Sequence, residues 1–357
     1  MKGIINSLFS QRRRGRTVSL LIVTIAFIVL QAMVMSKSLS RLLISLLVPV
    51  CAYIVAAIGL NLNVGFSGEL NLGQAGFMSI GAFTSVILSG ILNANGISGI
   101  PVLILCIIAG AAMAAVIGWL ISVPVLKLQG DYLAIVTLAF GQIIMSLINN
   151  LYCGIDAKGL HFAFVTNDIV LSEGGKMLIS GPMGATGVST VSTFTAGFIL
   201  VVIALLVVYN LIDSRRGRAI MAARDNRIAA ESIGISISGT KTLAFVVSSC
   251  LAGAAGALYA LNYSSFVATK FDFNSSILLL VYVVLGGLGN MSGTIISTAV
   301  LVVLPEMLRF LQNYRMLIYA VVLIVIMLVS NNAFLKTKAE QLKKKLAAGK
   351  KGAAENV

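Results

Sequence analysis

Charge is scarce in this chain. Asp, Glu, Lys and Arg make up 11% of its 357 residues, against about a quarter in a soluble domain. Residues that carry chemistry are equally few. His161 is the single histidine, and with no second ligand near it a metal site has nothing to be built from. The four cysteines show no CxxC spacing. Cys51, Cys106 and Cys250 fall inside apolar runs and Cys153 at the end of one, which reads as small core or lipid-facing residues and not a disulfide framework. Few carboxylates lie within apolar runs. The nearest, Glu69, Asp131 and Glu306, each sit close to a run end, too little for a proton relay or a catalytic pair. There is no GxxxxGK[ST]. The closest stretch, GISISGTK (Gly234–Lys241), has Thr before its Lys and lacks the strand-to-helix setting of a phosphate cradle. The chain therefore reads as neither an enzyme nor an ATP binder, holding no cofactor and no metal of its own.

Long apolar runs are abundant. Hydrophobic residues are 58% of the chain and the mean hydropathy is +1.00. Runs near 20 residues match the ~30 Å hydrocarbon core of a bilayer. The expectation is an all-α polytopic transmembrane bundle of about ten spans. These fall near 17–35, 42–60, 74–92, 101–126, 132–152, 193–212, 243–263, 276–285, 294–310 and 316–330. The eighth is short and could continue through the glycines that follow it. The first follows Arg12-Arg13-Arg14-Gly-Arg16 as a signal peptide would, but its apolar stretch is longer than such a leader, so an uncleaved span is expected.

The net charge of +14 raises a nucleic-acid reading, which the placement of the charge argues against. Nineteen of the 26 basic residues fall on one side if both termini are cytoplasmic, as the positive-inside rule requires. No basic and aromatic groove pattern accompanies them. The expected organisation is a basic cytoplasmic arm (1–16), a transmembrane domain (17–335) and a basic cytoplasmic tail (336–357). The domain carries an outer loop at 153–192 and an inner loop at 213–242. The outer loop, rich in glycine, reads equally as a docking surface for an external partner or as a cap over the bundle.

The inner loop is the most telling segment. Between Asp213 and Thr242 it holds Arg215, Arg216, Arg218, Arg224, Arg227 and Lys241. Each would cost roughly 2.5–3.5 kcal/mol at a bilayer centre, so the loop lies in water. Residues 218–232 contain good helix formers and no proline, with Arg227 and Glu231 spaced to pair. A short helix on the inner surface follows. It is longer and more patterned than orientation needs, which favours contact with a soluble partner.

Two glycine-rich stretches interrupt the apolar pattern. One runs 59–76 and includes Gly65, Gly68, Glu69, Gly73, Gln74 and Gly76; the other runs 286–293 and includes Gly286, Gly287 and Gly289. Glycine lets the backbone leave helical geometry, and irregular backbone at membrane depth survives only inside protein or beside a wet cavity. A translocation path or hinge and close helix packing both fit, as does the small-residue spacing Ala252-x-x-x-Gly256.

Four stretches carry a family resemblance, in the family's order: GLNLNVGFSGELNLGQAGFMSIGAF (Gly59–Phe83), GDYLAIVTLAFG (Gly130–Gly141), GRAIMAARDNRIAAESIGIS (Gly217–Ser236) and VVLGGLGNMSG (Val283–Gly293). Together they resemble the LivM-type permeases of branched-chain amino acid ABC importers, over about residues 45–330. Gln74 stands where relatives often have His, which argues against an essential titratable group there. The resemblance implies a permease subunit in a bacterial plasma (inner) membrane. It would move leucine, isoleucine, valine or a related small polar solute. Its implied partners are a similar or identical second permease, two cytoplasmic ATPases that hold ATP and Mg, and an extracellular solute-binding protein, with no nucleic acid. It also implies that Gly217, Arg218, Ala223, Arg224, Asp225, Ala229, Glu231 and Gly234 form the segment that docks on an ATPase. The competing reading is a self-sufficient secondary transporter or channel.

Overall fold

The computed structural model describes residues 17, 19–21, 23–34, 36, 40–126, 128, 130–156, 159–165, 175–309 and 314–331. The basic arm (1–16) and tail (336–357) expected from sequence lie outside the described residues. The helices are α1 (Ser19–Val34), α2 (Arg41–Asn61), α3 (Gln74–Ala94), α4 (Ile100–Val125), α5 (Asp131–Asn149), α6 (Phe194–Asp213), α7 (Arg215–Asp225), α8 (Arg227–Ser232), α9 (Ile237–Ala260), α10 (Phe273–Gly286), α11 (Met291–Met307) and α12 (Arg315–Asn331). Six stretches are long and apolar enough to cross a membrane, namely 43–67 and helices α3, α4, α5, α6 and α9; Ser19–Val34, α10 and α11 are shorter apolar helices. The chain divides into two compact units, residues 1–299 and 300–357, and α12 falls in the second.

Helix α9 is the centre of the first unit, packed against α2, α3 and α4. Its second half, LAGAAGALYA, is almost wholly small residues, and Ala252, Ala255, Ala257 and Leu258 are fully buried. The small residues act by letting backbones touch. A Cβ on Gly253 would stand 2.5 Å from the Gly110 carbonyl of α4, and one on Gly110 would stand 2.9 Å from the Gly81 carbonyl of α3. The packing reading of the Ala252-x-x-x-Gly256 spacing fits this contact.

At one end of α9 the chain forms a five-stranded antiparallel sheet of β1 (Leu151–Asp156), β2 (Gly159–Phe164), β3 (Lys176–Ser180), β4 (Ala185–Thr186) and β5 (Ser265–Phe266), in the order β2-β1-β3-β4-β5. Within the stretch read from sequence as a loop at 153–192, residues 153–156, 159–164, 176–180 and 185–186 are strand. Cys153 is fully buried in β1, and burial pushes its thiol up to about 11. His161 of β2 pairs with the nearly buried carboxylate of Asp156 at 3.2 Å. The sheet, Asp156 and Lys176 included, closes over the end of α3 around a cavity of about 550 Å³.

After β5 the chain turns back along the bundle. A 3-10 turn (Ala268–Phe271) packs against α3 and α5, held by ring contacts of Phe271 with Tyr259 (5.7 Å) and Phe266 (6.2 Å), and of Phe266 with Phe83 (5.1 Å). Asp272, Phe273 and Ser276 lie beside Gly76 of α3 and beside Gly141 and Gln142, midway along α5. Helix α10 thus begins at the middle of a spanning helix, and its 14 residues run from there to Gly286. It does not continue through the following glycines. Gly287 and Gly289, at φ 92° and 78°, reverse the chain into α11.

Candidate coupling site

The segment between α6 and α9 folds as two helices, not the single short one expected. Ser214 caps α7 by accepting from Gly217 N–H at 3.1 Å, and Asn226 breaks the pair, its side chain accepting from Ala229 N–H at 3.0 Å to cap α8. Ala223, Ala230 and Ile237 form a small buried cluster, backed by Ala222 and Ile235, which fixes both helices on the start of α9. Gly234, at φ 84°, ends α8 and turns the chain into α9. Gly217 lies so close to the Leu211 and Ile212 backbone that no side chain fits. Outward-facing residues remain: Arg218 donates to the Asp213 carbonyl at 2.9 Å, Arg227 pairs with Glu231 at 3.2 Å, and Ile228 and Ile233 are 80% and 74% exposed.

The first glycine-rich stretch is a break in the bundle. Helix α2 widens into a π turn at Leu62–Ser67, ends at Gly68 in the left-handed region (φ 75°), and passes to α3 through residues 69–73, which are neither helix nor strand. Single π turns inside helices are a recurrent mark of functional sites. Here the break is tied to α7, to α9 and to the second glycine stretch. Arg224 of α7 donates through Nη1 to the Gly65 carbonyl at 2.8 Å and holds Asp225 with Nε and Nη2 at 3.0 and 2.8 Å. Glu69 forms an ion pair with Lys241 of α9, with only 11% and 14% of the two side chains exposed. Asn61 accepts from Gly289 N–H and donates to Thr294 Oγ1, both at 2.8 Å, joining the break to the second glycine stretch.

Gln74 is fully buried and fully employed. Its Nε2 donates to the Ala56 carbonyl at 3.2 Å and the Ser248 carbonyl at 3.4 Å, and its Oε1 accepts from Asn71 Nδ2 and Ser248 Oγ at 3.2 and 3.3 Å. An uncharged amide suffices for that hub. Leu72 N–H donates to Thr137 Oγ1 at 3.1 Å, and Gly73 and Gly76 lie close against the α5 backbone at Thr137 and Gly141. Gly286 packs against Thr294.

Gly65, Gly68, Glu69, Gly289 and Arg224, flagged in separate motifs, therefore meet at one place. Arg218, Ala229 and Glu231 do not reach it. Sequence reasoning missed Asn61, Thr294 and Lys241; the signal for Lys241 was a lone cation at the start of a span, opposite the only acid of the first glycine stretch.

Residues 42–329 match the family described as branched-chain amino acid transport system / permease component. The chain belongs to this family. The permease is 34% identical over 351 residues, 94% of its own length and 80% of the other's, to the high-affinity branched-chain amino acid transport system permease protein LivM of Escherichia coli. The Salmonella typhimurium protein of that name is 34% identical over 84% of the permease and 71% of its own chain. A more distant relative, 27% identical over 54% of the permease and 59% of its own chain, is the nucleoside ABC transporter permease protein NupC of Lactococcus lactis. No solved structure matches significantly. These relatives are transport subunits, not enzymes.

Proposed function

We propose that the chain is a transmembrane permease subunit of an ATP-binding-cassette importer. It forms part of the path for branched-chain amino acids or a related small polar solute and is driven by ATP hydrolysed on separate subunits. The observation that carries the coupling half of this reading is the Arg224 contact to the Gly65 carbonyl, which links the α7–α8 segment directly to the break in the bundle. In this reading α7 and α8 dock on a cytoplasmic ATPase through the exposed Arg218, Arg227, Ile228 and Ile233. Rigid-body motion of the docked pair shifts the π turn and the start of α9 together, the repertoire expected of alternating access.

About ten spans with cytoplasmic termini in a bacterial inner membrane complete the proposal, with a second permease, two ATPases that hold ATP and Mg, and an extracellular receptor. The basic arm at 1–16 and tail at 336–357 would orient the chain toward the cytoplasm. The solute class is supported by the family and by the likeness to the two LivM proteins.

The test is flux in proteoliposomes. The importer reading expects leucine uptake only with ATPases, receptor and ATP present. Uptake by the lone chain under an ion gradient supports a secondary transporter instead. Aqueous labelling of Arg218→Cys from the outside of intact cells would also defeat the proposal.

A further inference from the structure

The turn between β5 and α10 places charge where a bilayer protein rarely tolerates it. Asp272 lies beside Gly141 and Gln142, midway along the spanning helix α5, and Lys270 is two residues away. Thr269, Lys270 and Asn274 are exposed and Asp272 is half-buried. Among the described residues neither Lys270 nor Asp272 takes part in an ion pair. Charged groups at this depth that are not buried in protein face water and not lipid, and in transport proteins they mark the solute path.

The groups are also held in place. Asp272 Oδ1 accepts from Ser275 N–H at 2.9 Å, capping α10, and Oδ2 accepts from Asn274 Nδ2 at 3.1 Å. Ser275 Oγ donates to the Lys270 carbonyl at 2.7 Å, tying the base to the same first turn. Phe273, 38% exposed, and Gln142 lie beside Asp272. An ordered acid, an exposed ammonium and an aromatic face are complementary to a solute with an ammonium, a carboxylate and an apolar side chain on one carbon.

We propose that Lys270, Asp272 and Asn274 form a mid-membrane station of the translocation path that receives a zwitterionic aliphatic amino acid. Lys270 meets the carboxylate, Asp272 meets the ammonium, and Phe273 lies along the side chain. This rests on the importer reading above and deepens it by naming where the solute is held.

The experiment uses the complete importer, with second permease, ATPases and receptor, in proteoliposomes. Lys270→Met and Asp272→Asn are each expected to lower leucine uptake tenfold or more while receptor-stimulated ATP hydrolysis stays within twofold of wild type. Asn caps a helix as well as Asp does, so Asp272→Asn keeps the cap on α10 while removing the charge and the acceptor for Asn274 Nδ2, and steady hydrolysis separates that loss from misfolding. Lys270→Cys is expected to react with a membrane-impermeant charged thiol reagent. Uptake within twofold of wild type in both charge variants overturns the station and leaves the importer reading standing, as does an unreactive Lys270→Cys. Hydrolysis lost in parallel with uptake assigns the residues a structural role and overturns it as well. A wild-type complex that moves no branched-chain amino acid overturns the importer's solute class and the zwitterion with it.

Discussion

Arg224 and Gly65 are 159 residues apart in sequence, and a 2.8 Å hydrogen bond joins the guanidinium of one to the carbonyl of the other. The arginine belongs to the polar segment that stands outside the apolar bundle, and the glycine to the one π turn among the described residues. A force on α7 therefore reaches the π turn in one step.

Arg224→Glu removes the donor and places a carboxylate against a carbonyl oxygen. Insertion is expected to be normal, since the residue lies in water. Receptor-stimulated ATP hydrolysis is expected to fall about tenfold, equivalent to about 1.4 kcal/mol of lost coupling. Unchanged stimulation in purified complex would remove Arg224 from the coupling route.

Gly68 holds φ 75°, and a Cβ there would stand 2.7 Å from Cγ of Arg224. Gly68→Leu meets both obstacles, the left-handed backbone alone costing about 1–2 kcal/mol. Transport is expected to be impaired with the permease pair and ATPases still co-purifying. Loss of co-purification instead assigns the glycine to packing.

The bundle was legible because long apolar runs are a one-dimensional signal. The span expected at 193–212 is α6 at Phe194–Asp213, and the span expected at 74–92 is α3 at Gln74–Ala94. The polar segment was legible in its limits but not in its break at Asn226, where an Asx cap competes with helix continuation. The sheet was not legible. Its strands are two to six residues long, and β4 finds its partner β5 about 80 residues on, a pairing no local pattern announces. The place of Asp272 beside the middle of α5 was not legible either, because hydropathy measures the length of apolar runs and not which segments fold back against them. The meeting of Glu69 with Lys241 is likewise a tertiary fact, though both residues could be seen to be isolated charges at the ends of apolar runs.

Cys153 is fully buried in β1, and burial raises its thiol from 9.0 to about 11. Only the thiolate attacks electrophiles, so a two-unit rise lowers the reactive fraction about a hundredfold near pH 8. Maleimide is expected to leave Cys153 unmodified in the folded permease and to label it on denaturation. The sign for stability follows. Below about pH 9 the thiol is neutral in both states and the sheet keeps its full stability. Between 9 and about 11 the unfolded chain ionises first, and stability falls. Fast labelling of the native sheet at neutral pH would show Cys153 to be accessible.

Glu69 and Lys241 tie the break to the second turn of α9, and both side chains are nearly buried. Deleting one partner strands the other charge, at about 3–5 kcal/mol for a buried pair. Lys241→Met and Glu69→Gln are therefore each expected to lower the melting temperature of the purified complex and to slow uptake. Glu69→Gln with Lys241→Met leaves no stranded charge, so the double variant is expected to melt above the Lys241→Met single, with a coupling energy on the order of 1–3 kcal/mol. The charge-swapped Glu69→Lys with Lys241→Glu is expected to recover uptake in part, because attraction survives while the geometry changes. Additive losses in the double variant show that the two residues act separately. In that case the break is held at this end by the Arg224 and Asn61 hydrogen bonds, and motion of α7 reaches it without passing through α9.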